Sequence, residues 1–234
     1  MRKIGYLAAA AAAALAAAAG PAVAAQASST ASPAAVALPV LTLNTPAGAP
    51  AVPGQTLAAS LTSGSSLRLS VAPGSPIGLT CTQSTWQGQL MANPAVPGPA
   101  VIQLMTPFTI SSCMDSNPTV TGVTGVAVSN LPAILQVNGA TPFPIQILPS
   151  SAPLLITVTV TTTTGSAPTV CKYQAAGAVN GSTAAALTPW VFTNQPFNPA
   201  GPTSPACGPG VAFFSAAYSP VTDLSAGGAN IYVN

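Results

Sequence analysis

The sequence predicts an all-β fold, an antiparallel β-sandwich or barrel-like domain stapled by two disulfides. Three observations carry that prediction. Short runs alternate apolar with hydroxyl side chains, as in Ile156-Thr157-Val158-Thr159-Val160-Thr161. The runs are punctuated by 26 prolines and 20 glycines, which disfavour helix interiors and suit turns and strand ends. Cys81, Cys113, Cys171 and Cys207 form an even set in a chain that has no histidine, which reads as a disulfide framework.

The first element is not part of that domain. Met1-Arg2-Lys3 is a short basic start, and residues 4–20 are an apolar, mostly alanine run ended by Pro21. Ala22-Val23-Ala24 and Ala25-Gln26-Ala27 both fit the small-residue cleavage pattern of a secretory signal peptide. Residues 1–27 are therefore expected to be a cleaved helical leader. The run sits at the short end of the ~17–25 residues needed to span a bilayer, so no transmembrane segment is expected in the mature chain. Residues 28–36, rich in Ser, Thr, Ala and Pro, read as a flexible lead-in. Residues 37–234 are the expected all-β domain, with 131–153 as the seam should it form two subdomains.

VALPVLTLNT (36–45) opens the domain. TLAASLTSG (56–64) and SLRLSVAPG (66–74) predict a hairpin that turns at Ser63-Gly64-Ser65. IGLTCTQS (77–84) carries the first cysteine, and VIQLMTPFTISSC (101–113) ends on the second. TVTGVTGVAVSN (119–130), AILQVNG (133–139) and FPIQILP (143–149) follow. LLITVTVTTTT (154–164), TVCKYQAAGAV (169–179), PWVFTNQPF (189–197), VAFFSAAYS (211–219) and NIYVN (230–234) complete the chain. Strand candidates at such regular, short spacing are the mark of sandwiches and barrels. STAAAL (182–187) is the one later segment that suggests a helical turn. The surroundings of Cys81 and Cys171 resemble each other, which raises a duplication into two sheets or subdomains.

In 154–164 the alternation places Ile156, Val158 and Val160 toward a core and Thr157, Thr159 and Thr161 toward water. β-branching suits the pleat, and hydroxyls stay hydrated without charge. Charged residues are only 3% of the chain, against ~25% in ordinary soluble domains. Beyond the leader they are Arg68, Lys172, Asp115 and Asp223. Two cations cannot neutralise a phosphate backbone, so nucleic acid is excluded as a partner.

Three cysteine pairings are possible, and Cys81–Cys113 with Cys171–Cys207 is preferred because each closes a local loop of similar length. Such a bridge is worth roughly 3–4 kcal/mol by restricting the unfolded chain. No two cysteines are close enough for a metal-binding knuckle and no histidine completes one, so no metal and no cofactor are expected. No catalytic residues are assigned. Histidine triads are impossible, there is no glutamate, and Asp115 and Asp223 read as turn residues that bond their own backbone. Lys172, the lysine beyond the leader, could crosslink to an asparagine beside Asp115. Trp86 is the candidate ligand-binding residue, because STWQGQ (84–89) surrounds it with polar neighbours and predicts an exposed stacking platform.

Gly78-Leu79-Thr80-Cys81, Cys171-Lys172-Tyr173, FSAAYSPVTD (214–223) and IYVN (231–234), behind an alanine-rich leader, form a layout that resembles uncharacterised secreted proteins of actinobacteria. It is similar, more distantly, to the disulfide-bonded β-sandwich carriers of actinobacterial chromophore antibiotics. The first resemblance implies export to the cell envelope or medium, and the second implies a cleft for a small apolar ligand. The expected role is a secreted, non-enzymatic structural, adhesion or interaction protein whose partner is cell-wall glycan or another copy of itself. The alternative is an extracellular carrier that holds a small apolar ligand or carbohydrate between sheets.

Overall fold

The computed structural model describes residues 37–165, 167–202, 204–208 and 210–234. The expected leader (1–27) and lead-in (28–36) lie outside the described residues. Residues 37–234 form one compact unit. Its strands are β1 (Leu41–Leu43), β2 (Thr56–Leu61), β3 (Leu67–Ser70), β4 (Gly78–Ala92), β5 (Pro99–Asp115), β6 (Val120–Ser129) and β7 (Ala133–Asn138). They continue as β8 (Pro144–Pro149), β9 (Leu155–Thr162), β10 (Thr169–Ala175), β11 (Val179–Ser182), β12 (Trp190–Pro199), β13 (Ala212–Asp223) and β14 (Ala229–Val233). All fourteen belong to one antiparallel sheet.

That sheet closes on itself. β2 and β3 lie end to end between β4 and β13. β6 and β7 lie end to end along β5. β9 and β8 run beside them, and β10 and β11 run beside those. β12 pairs with both β10 and β11, and β13 pairs with β12, which returns the ladder to β2 and β3. Counted as staves, β2/β3, β4, β5, β6/β7, β8/β9, β10/β11, β12 and β13 make a closed eight-stave barrel in simple up-and-down order. Closure removes the sheet edges that an uncharged β-protein cannot guard with lysine or glutamate.

Two local expectations are corrected here. Segments 56–64 and 66–74 do not form a hairpin, because β2 and β3 share neighbours and not each other. The turn at Thr62–Ser65, where the Ser65 amide donates to the Thr62 carbonyl, loops outward and returns the chain to its original direction. Leu57, Ala59, Leu67 and Leu69 are all buried, so both halves serve one core. STAAAL (182–187) is not helical: the Thr188 hydroxyl takes up the Ala184 backbone, and Ala186 bridges to Val233. The helical turn lies instead at η1 (Pro205–Cys207), capped by the Ser204 hydroxyl. The suggested seam, 131–153, contains the β7–β8 hairpin, which is knitted to β5 on one side and β11 on the other.

An eight-stranded barrel is just wide enough for side chains to fill. Ile156, Val158 and Val160 are at most 3% exposed, as the alternation predicts. Thr157, Thr159 and Thr161 face outward but are half-buried by neighbouring strands, with Thr121 donating to Thr161 at 3.0 Å. Gly88 points inward, and a Cβ there would come within 2.7 Å of Ile102 Cγ2. The interior is apolar, and the wall mixes hydroxyl and amide side chains with exposed Met91, Met114 and Val170. No helix among the described residues is long and apolar enough to cross a membrane.

Both ends are plugged. At one, β1 and β14 pair and bury Val40, Leu41, Ile231 and Val233. Asn93, in the β4–β5 turn, clamps this plug: its side chain accepts from the Leu41 amide and donates to the Leu41 and Ala51 carbonyls. At the other end η1 is tied to β10 by Cys171–Cys207.

Candidate functional site

The cysteines pair as Cys81–Cys113 and Cys171–Cys207, linking positions 32 and 36 apart in the sequence. They do different work. Cys81 and Cys113 are register partners on adjacent strands, so that bridge reinforces a ladder. Cys171–Cys207 anchors the end plug, so the likeness between the two cysteine neighbourhoods does not extend to their geometry.

Trp86 is not an exposed platform. Along β4 the inward positions are Ser84, Trp86, Gly88 and Leu90, and the outward ones are Thr85, Gln87 and Gln89. The polar neighbours belong to the wall, while the indole is 3% exposed inside the barrel. It stacks on Trp190 at 5.7 Å with planes 25° apart and meets Tyr218 edge-on at 6.4 Å. Phe108 also meets Tyr218 edge-on. The Tyr218 hydroxyl finds its partner in Ser84 Oγ at 2.9 Å, and burial pushes its pKa above the ordinary tyrosine range. The cavity among Trp86, Phe108, Trp190 and Tyr218 is about 20 Å³, room for one water and far below the ~300–1,000 Å³ of ligand pockets.

A second internal cavity of about 30 Å³ lies behind η1, lined by Asp115, Asn117, Tyr173 and the Cys171–Cys207 bridge. Burial holds the Asp115 carboxyl above its ordinary range, partly offset by the hydrogen bond from the Asn117 amide at 2.8 Å. Tyr173 donates to the Cys207 carbonyl, and its pKa is pushed up to about 12 by burial, then by the Asp115 charge. Asn117 donates to the Pro205 carbonyl at 3.0 Å. This cluster fastens the plug.

Asp223 accepts from the Ser225 and Ala226 amides, so both aspartates do bond their own turns. Lys172 is exposed on the outer wall, whereas its neighbours Cys171 and Tyr173 line the end cavity with Asp115. That separation leaves the Lys172 crosslink without its acid. No group of three His, Cys, Asp or Glu side chains that could hold a metal occurs among the described residues.

Open space lies outside the barrel. A groove of about 350 Å³ is lined by Ala58, Ser60, Thr85, Gln87, Pro220, Thr222 and Leu224, and also by Ala59 and Trp86, both of which are buried. A second, of about 340 Å³, is lined by Gln103, Met105, Thr106, Leu131 and Pro132. Neither is legible in the sequence, since each joins residues far apart along the chain. Local sequence likewise does not pair Trp190, Tyr218 or Ser84 with Trp86. Ser84 and Gly88 at core positions were the one available signal that something large lies opposite.

Fold and site together define a class: a filled, disulfide-locked, up-and-down β-barrel whose accessible grooves, lined by no charged residue, lie on its outer wall. No family model, curated protein or solved structure matches the chain.

Proposed function

We propose that this is a secreted, non-enzymatic interaction protein of the bacterial cell envelope or extracellular space, of the actinobacterial type its layout resembles, which acts through its outer wall. The observation that carries the reading is the filled interior. Internal cavities of about 20 and 30 Å³ leave a carrier no room for cargo, while grooves of about 350 and 340 Å³ open outward. Two disulfides suit an oxidising, extracytoplasmic space. Among the described residues the two aspartates are committed to turns.

Co-sedimentation of the purified, oxidised domain with an insoluble actinobacterial cell-wall preparation tests this, alongside native mass spectrometry. The expected result is ligand-free protein retained in the pellet. Protein that stays in the supernatant and carries a stoichiometric small molecule would replace this reading with the carrier.

A further inference from the structure

We infer that the two outer grooves form one binding track for a neutral, extended polysaccharide; this rests on the outer-wall reading above. The strand registers place Thr222 beside Ala58, Ala58 beside Gln87 and Gln87 beside Met105. Met105 lines the second groove, together with Leu131 and Pro132 at the break between β6 and β7. A straight row therefore crosses the wall at right angles to the strands, from β13 through β2, β4 and β5 to that break. At the usual strand spacing of ~4.8 Å, four steps span about 19 Å, long enough for a short run of sugar rings.

Ala58, the smallest side chain of the row, lies between Gln87 and Thr222, and Pro220 and Leu224 line the groove with it. Leu131 and Pro132 line the groove at the other end of the row. β13 is displaced here by a register shift between Tyr218 and Val221, and the first groove lies over that shift.

The chemistry selects the ligand. Gln87 and Gln103 supply amide donors and acceptors, Ser60, Thr85, Thr106 and Thr222 supply hydroxyls, and proline, leucine and methionine supply aliphatic surface. Sugar rings present hydroxyl edges and C–H faces, which match this alternation. None of the lining residues is charged, so an anionic or cationic ligand would lose water without gaining a counter-charge. A protein partner is disfavoured, because neither groove offers an exposed Trp, Tyr or Arg of the kind that anchors protein interfaces.

Titration of the oxidised domain with neutral hexasaccharides (mannohexaose, cellohexaose and arabinohexaose), with hyaluronan hexamer as the charged control, tests the track by calorimetry. One or more neutral hexamers are expected to bind, and the charged one is not. Ala58→Gln enlarges the smallest side chain of the row and Gln87→Ala removes its central amide. Both are wall substitutions that leave the core untouched, and thermal melting checks their folding. Each is expected to weaken binding about tenfold, the effect of losing one or two polar contacts. Thr157→Ala, on β9, is expected to change nothing. Equal binding by the folded A58Q and Q87A variants, or no neutral hexamer bound, overturns the track. If A58Q still sediments with cell wall like the parent, the outer-wall reading stands and the track alone fails.

Discussion

Removing the Trp86 indole tests whether the ring is structural or a surface platform. It is buried against Trp190 and Tyr218, so Trp86→Ala is expected to cost about 3–5 kcal/mol in urea unfolding. An exposed platform would cost under about 0.5 kcal/mol, so the two roles are separated by the size of the loss. Asp115 gives an opposite expectation. Its folded pKa lies above the ordinary value of 3.8 because burial disfavours the charge. Between those two values the folded state holds more protons than the unfolded chain, so stability falls as pH rises through the window. At neutral pH the buried charge is a standing cost. Asparagine keeps an Oδ1 to accept from the Asn117 amide without the charge. Asp115→Asn is expected to melt higher than the parent at pH 7 and to lose the parent's gain in stability toward pH 3. Parallel melting curves for the two proteins across that range would refute the assignment.

Between elements, the weakest join is that of β5 and β6. β5 is laddered to β4 as far as Asp115, and β6 to β9 along its length. β5 and β6 themselves share one register pair, Thr109 with Ala127. Amides in 111–115 and 120–126 that face this join are expected to exchange with solvent faster than those of the β4–β5 ladder, since local opening follows the weakest pairing. Uniform protection across 99–129 by hydrogen exchange would show the wall to be continuous. The individual strands were legible because alternation sets which face is buried, as at 154–164. Their joins were less so. STWQGQ looks like the polar setting of an exposed Trp86, yet β4 runs through it to Ala92 with the ring inward, because small inward residues make room for two tryptophans and a tyrosine. VAFFSAAYS looks finished at Pro220, yet β13 continues to Asp223 by shifting register. The hairpin misreading at 63–65 has the same cause: a turn former inside a stave looks like one between staves. Barrel closure through β12, β13 and β2 is a long-range pairing that local pattern does not encode, and the outer track depends wholly on it.

For the whole molecule, scarcity of charge governs the response to solution conditions. Residues 37–234 contain Arg68, Lys172, Asp115, Asp223 and no histidine. Arg68 is spent on the Ser75 and Pro76 carbonyls. Acid unfolding ordinarily comes from protonating paired carboxylates and charging buried histidines. Here there are two carboxylates and nothing to charge. In acid the domain is left with two positive side chains, too few for self-repulsion to matter. It is therefore expected to stay folded down to about pH 2, and its stability to be nearly flat from neutral pH to about 9. Alkali is different. Burial raises the pKa of Tyr218 and pushes that of Tyr173 to about 12. The unfolded chain, with ordinary tyrosines near 10, loses those protons first. The folded state then holds more protons than the unfolded one, and stability falls as pH rises above about 10. Circular dichroism of the aromatic bands from pH 2 to 12 reads this directly, because Trp86, Trp190 and Tyr218 are packed together only in the closed barrel. A single loss of that signal in alkali is expected, at a midpoint indifferent to added sodium chloride, since screening has little to screen. Loss of the signal near pH 4 instead would overturn both this expectation and the Asp115 assignment, since protonating a carboxyl whose pKa burial has raised stabilises the fold.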